Sequence, residues 1–194
     1  MLLAGFTAFA QLNIGAGYQN EMWSAKNGDT KSNVSLNGVY AGASYNIPLN
    51  FVDGLGIAPG AYFTWAMGQD SDPLLGTLTI NDMSIVVPVH VTFGMDLGST
   101  SRLFAYLGPA FQYGLSYKGD YENAGVKVKG DNSYTQDSGI SPFDVKLDLG
   151  FGFKYKFIQA NVGFDFGFLD RDKNKNDNYK LHEQLIHAGI AFSF

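Results

Sequence analysis

Between residues 143 and 157 the chain reads FDVKLDLGFGFKYKF. Phe143, Val145, Leu147, Leu149, Phe151, Phe153, Tyr155 and Phe157 occupy every second position, and Asp, Lys or Gly fill the places between. A period of two is that of a β-strand, because successive side chains point to opposite faces. One face is apolar throughout, and the other is charged or bare. Strands in soluble sheets usually span about 5–6 residues, so so long an alternation needs an unusual setting.

The same alternation recurs at residues 12–19, 38–47, 57–67, 83–93, 103–115, 158–168 and 186–194. That predicts eight strands, the smallest usual number for a closed membrane barrel. Connections at 48–54, 96–101 and 156–158 are short. Those at 20–33, 68–82, 118–142 and 169–183 are long and rich in Asn, Asp, Lys, Gly and Ser. Outer-membrane barrels have short periplasmic turns and long extracellular loops, and an even strand number brings both termini to the short-turn side. No run of about 20 apolar residues, as a spanning helix needs, is present; a barrel strand needs only about 9–11, half of them polar.

A soluble up-and-down barrel such as a lipocalin also alternates, with its apolar face inward. Here the polar set is mostly Gly, Ala, Ser and isolated charges, which suit a narrow interior. The apolar set carries many of the 16 Phe and 11 Tyr, more rings than an eight-stranded interior holds. The expected fold is therefore an all-β, eight-stranded antiparallel up-and-down transmembrane β-barrel, apolar face outward, over residues 11–194. Tyr18, Tyr45, Trp65, Tyr113, Tyr117 and Tyr155 then fall on the lipid face near strand ends, as interfacial girdles do. Residues 1–10, MLLAGFTAFA, read as the remnant of a secretory signal peptide, with Ala8-Phe9-Ala10 as the small-x-small cleavage site.

Cysteine is absent, which excludes disulfides and thiolate metal sites. A net charge of −5 without a basic stripe makes nucleic acid an unexpected partner.

The last residues, LIHAGIAFSF, alternate to a final Phe192 and Phe194. They resemble the C-terminal assembly signal of bacterial outer-membrane proteins. The pieces NGVYAGASYNIPL (37–49), LGIAPGAYFTW (55–65), MSIVVPVHVTFGM (83–95), LFAYLGPAFQYGL (103–115) and FDVKLDLGFGFKY (143–155) resemble the outer-membrane β-barrel domain family of Bacteroidetes, which includes PorT-like proteins. The resemblance implies residence in the outer membrane of a Gram-negative bacterium. It implies no one biochemical task and supplies no catalytic residues.

The residues that could carry chemistry lie on the inward face. Asp144, Lys146, Asp148 and Lys154 share it on one strand, with Asp165 on the next. A proton or ion path and a structural ion-pair network are both compatible with this set, and the network fits a narrow lumen better. His90 and His187 are inward by parity and read as hydrogen-bonding fillers. Ser84 lies six residues from His90, roughly 20 Å along a strand, too far for a nucleophile–base pair. Residues 170–177 carry oxygen side chains at 170, 172, 174 and 176, as a Ca²⁺ loop does, but lack Gly at the sixth place and Glu at the twelfth; a solvated loop is expected. Pro59, Pro88 and Pro109 interrupt strands and predict bulges or strand bends.

The functional expectation is a non-enzymatic outer-membrane barrel with a plugged lumen and no cofactor, its loops serving surface binding or envelope and secretion machinery. Its expected partners are outer-membrane lipid and outer-membrane assembly or secretion machinery. A small passive pore and a lipid-modifying outer-membrane enzyme are the alternatives.

Overall fold

The computed structural model describes residues 11–49, 51–72, 76–123, 125–137, 139–174 and 179–194, with the side chains of 70–72 left aside. The expected signal remnant at 1–10 lies outside the described residues. The strands are β1 (Gln11–Asn27), β2 (Thr30–Pro48), β3 (Leu55–Asp72), β4 (Gly76–Asp96), β5 (Ser101–Asn123), β6 (Val126–Val128), β7 (Phe143–Tyr155), β8 (Ile158–Gly167) and β9 (Tyr179–Ser193). β1 to β5 and β7 to β9 pair antiparallel as neighbours, β4 pairs with β5, and β9 returns to β1. The sheet therefore closes on itself, and the fold is an antiparallel up-and-down β-barrel. β6 stands outside this ring, prolonging β5 through the pairs Tyr121↔Val128 and Asn123↔Val126.

The alternation places its faces as expected. Val39, Tyr18, Phe63, Phe93, Tyr113 and Phe151 are exposed on the outside, whereas Gln19, Ser84, Gln112 and Lys146 are buried inside. Closure pairs each wall strand with a neighbour on both sides, and the apolar residues clothe the wall. Inward glycines seat inward rings. A Cβ on Gly17 or Gly189 would overlap the Tyr40 ring, and one on Gly152 would overlap Phe104.

The wall is uneven in height. The segments 20–33 and 68–82, expected as long loops, are chiefly strand: β1 and β2 pair out to Asn27↔Thr30, and β3 and β4 out to Asp72↔Gly76. Cross-strand bonding continues beyond the point where the apolar pattern fades. β8, by contrast, has 10 residues. The low side of the wall is completed by irregular chain. Ser133 N donates to Tyr117 O (2.8 Å), Tyr117 N to Asn132 Oδ1 (2.9 Å) and Gly114 N to Pro142 O (2.7 Å). The loop thus takes over the edge of β5 that β7 leaves at Tyr113↔Phe143, meeting the demand that buried backbone groups find partners.

Two sequence expectations need correction. The prolines do not shift register: Pro59↔Val89 and Tyr62↔Val86 keep one register, as do Pro88↔Ala110 and Val91↔Leu107. They interrupt the pairing and leave its phase intact. The shift falls where Met83 faces Ser116 and Ser84 faces Gly114, so Leu115 is the extra residue of a bulge. One extra residue inverts the parity beyond it. Tyr117, assigned to the lipid face, therefore turns inward and packs edge-on against Trp23 at 5.2 Å. Tyr18, Tyr45, Trp65, Tyr113 and Tyr155 remain exposed outside.

Candidate functional site

The lumen divides into layers along the barrel axis. Nearest the short turns is a cavity of about 970 Å³, lined by Asn13, Ser44, Asn46, Thr92, Arg102 and Lys154 near its mouth. Lys154 sits at this rim, donating from Nζ to Gln11 Oε1 at 2.6 Å, and does not join the other charged residues of its strand.

The inner end of the cavity is made by Asp148 and its partners. His90 Nε2 lies 2.7 Å from Asp148 Oδ2, and His187 Nε2 lies 3.3 Å from Asp148 Oδ1. Asp165 is directly opposite Asp148 across β7 and β8, with its Oδ1 3.4 Å from His187 Nε2. The two histidines, expected as separate fillers, thus converge on one carboxylate. Strand parity finds each of them; only closure of the ring brings β4, β7 and β9 to a common point. Tyr106 lies beside His90, with ring centroids 4.7 Å apart, and donates to Val162 O at 3.3 Å.

Beyond this layer a second network crosses the lumen. Lys146 and Arg171 both hydrogen-bond to Glu183, and all three side chains are fully buried. Gln112 Nε2 is 3.3 Å from Glu183 Oε2 and 3.2 Å from Ser84 Oγ. Ser84 in turn donates to Asp82 at 3.3 Å. Tyr134 Oη lies 2.9 and 3.0 Å from the two oxygens of Asp82. Asp144 Oδ1 accepts from Val145 N at 2.8 Å, and Gln19 donates to Glu21 at 2.7 Å.

Arg171 and Tyr134 come from irregular chain, not from the wall. Arg171 Nε and Nη2 donate to Ser141 O at 3.0 and 2.8 Å. Its guanidinium lies 4.6 Å from the Trp23 ring and 5.3 Å from that of Tyr134, a stacking that suits a weakly hydrated planar cation. Burial alone would lower the Arg171 pKa, but Glu183 above all holds it higher than its ordinary value. Burial, reinforced by Asp82, pushes the Tyr134 phenol well up, which keeps it a donor. A small apolar core of Trp23, Leu36, Ala66, Ile80 and Leu181 lies at this end, with Tyr117 and Ile140 against it, and a cavity of about 590 Å³ opens beside Trp23, Tyr117 and Leu181.

Of the sequence-derived candidates, Asp148, Asp165, His90 and His187 form one cluster, and Lys146 joins the second network, with Asp144 buried close by. Glu21, Asp82 and Glu183 went unselected. Continuing the alternation of β1, β4 and β9 by one to three residues would have found them. His182 and Glu183, adjacent near the rim, belong to opposite faces of β9, with Glu183 inside. Arg171 and Tyr134 carry no periodic signal at all.

In the 170–177 loop, Asp170 Oδ1 accepts from Asp172 N (3.2 Å) and Leu181 N (3.0 Å), while Asp172 Oδ1 accepts from Asn174 N (3.1 Å). These oxygens serve as turn caps; residues 175–178 lie outside the described residues. Phe192 and Phe194 are exposed outside near the short turns, and Phe192 stacks on Phe157 with centroids 6.3 Å apart.

No protein-family model and no curated protein matches the chain. Several solved structures are similar to it. Ail, the attachment invasion locus protein of Yersinia pestis, shares 13% identity at a TM-score of 0.48, covering 95% of this chain and 98% of Ail. The outer membrane protein OprG from Pseudomonas aeruginosa shares 14% at 0.48, covering 95% of each chain. Neisserial surface protein A shares 11% at 0.45, covering 94% of this chain and 97% of that one.

Proposed function

We propose that this chain is an integral outer-membrane β-barrel, PorT-like in kind, that acts without catalysis and does not conduct solutes. One observation carries the reading: a hydrogen-bonded ring wears its apolar residues outside while Lys146, Glu183 and Arg171 are fully buried inside it. In water that arrangement would be inverted, because burying charge costs free energy and exposing a continuous apolar band costs more. In a bilayer the outer face meets acyl chains, and the closed ring supplies the backbone partners that lipid lacks. The short turns and termini face the periplasm, and the tall strands, β6 and the irregular segments face outward. Those segments present the surface for binding or for contact with envelope or secretion machinery.

Planar-bilayer recording tests the closed lumen. The expected result is no step of nanosiemens size from the whole chain. Replacing both Arg171 and Tyr134 by Ala opens the outer layer and brings conductance steps. Large steps from the unaltered chain would instead make it a small pore.

A further inference from the structure

His187 Nε2 faces two carboxylate oxygens at once, Asp148 Oδ1 at 3.3 Å and Asp165 Oδ1 at 3.4 Å. Its hydrogen bond is made to Asp148 and not to Asp165. Asp165, its side chain only 7% exposed, is left with an Oδ1 that is buried and accepts no hydrogen bond among the described residues. Asp148 and Asp165 are also direct cross-strand partners, a placement in which like charges repel. Donor atoms of the three residues all lie within 4.8 Å of one another. The two carboxylates thus converge on a single imidazole nitrogen.

We propose that His187, Asp148 and Asp165 bind a first-row divalent metal ion of the Zn²⁺ type in the lumen. Donors about 2.0–2.1 Å from a tetrahedral ion stand roughly 3.3–3.4 Å apart, which is the spacing His187 already has to both acids. One imidazole with two carboxylates suits Zn²⁺ and its neighbours, whereas Ca²⁺ and Mg²⁺ favour all-oxygen shells. His90 is a positioning residue. Its Nε2 engages Asp148 Oδ2 at 2.7 Å, leaving Oδ1 turned toward His187, the usual second contact of a ligating carboxylate. All four residues line the 970 Å³ cavity, which supplies a route from the short-turn end and leaves the fourth coordination position open to water. The site holds whether or not the lumen conducts.

The test uses the whole chain in detergent, stripped with a chelator and titrated calorimetrically with ZnCl₂. The expected result is one Zn²⁺ per chain. Asp165→Asn and His187→Gln each weaken it by more than about 100-fold, beyond the 10–100-fold that loss of an outer partner costs. His90→Ala weakens it by about 10-fold or more with the stoichiometry kept, and His90→Gln, which still donates, restores it. His182→Ala, on the opposite face of β9, changes nothing. X-ray absorption at the zinc edge of the unaltered protein shows one imidazole nitrogen and carboxylate oxygens at about 2.0–2.2 Å. No saturable zinc heat, binding that survives both ligand variants, or a zinc shell without imidazole overturns the proposal. The spectroscopy decides alone if a variant does not fold.

Discussion

The two halves of the lumen are built from the same inward parity and differ in what occupies them. The half near the short turns is roomy, with a histidine–aspartate cluster closing its inner end and glycines that seat Tyr40, Phe104 and Tyr106. The other half is crossed by a charged network, with a smaller cavity of about 590 Å³ beside it. There Glu183 takes both Lys146 and Arg171, Asp82 takes Tyr134, and an apolar core lies alongside. The wall strands supply Lys146 and Glu183, but irregular chain supplies Arg171 and Tyr134. A barrel wall alone leaves a cavity; crossing it here takes chain that folds back through the open end.

If the networked half is held by charge pairing, removing the shared acid is the largest single perturbation. Glu183→Gln leaves two buried cations short of a partner, and the expected loss is roughly 3–5 kcal/mol, read from urea unfolding in detergent. In the roomy half, Lys154→Met at the rim shifts the same transition by less than about 0.5 kcal/mol. Equal effects would erase the distinction between the halves.

The roomy half is limited by steric fit. Gly17→Val drives a side chain into Tyr40 and costs about 1–3 kcal/mol by overpacking, whereas Ala16→Val, on the outer face of the same strand, is close to neutral. A tolerated Gly17→Val would mean that both the Tyr40 ring and the Ala188 carbonyl on β9 give way.

The smallest effect tests the bulge at Leu115. Tyr117→Ala forfeits edge contacts with Trp23 and Tyr134, worth about 0.5–1.5 kcal/mol beyond area burial. Tyr113→Ala, on the outer face, leaves the mobility of loop residues 129–137 unchanged by hydrogen exchange, while Tyr117→Ala raises it. A lipid-facing Tyr117 would give both variants the same exchange behaviour.

Much of the wall was legible because a period of two is a local property. Asp148 and Lys146 could be placed inward from their neighbours alone, as could His90 and His187. Tyr117 could not, because one inserted residue inverts parity without altering the pattern around it. Nor could the segments 20–33 and 68–82, which pair as strands although their apolar alternation has faded. Their hydrogen bonds come from the partner strand, and composition does not record them.

By itself the sequence determined the strands, their inward and outward faces, and hence a closed antiparallel barrel, since side-chain direction follows from position along one chain. Only the tertiary structure decided which inward residues meet. Asp148 touching both histidines, Asp165 opposing it, and Arg171 entering from a loop to reach Glu183 all depend on the stagger between strands and on the path of irregular chain. Those distances are set by closure of the whole ring, which no single strand encodes.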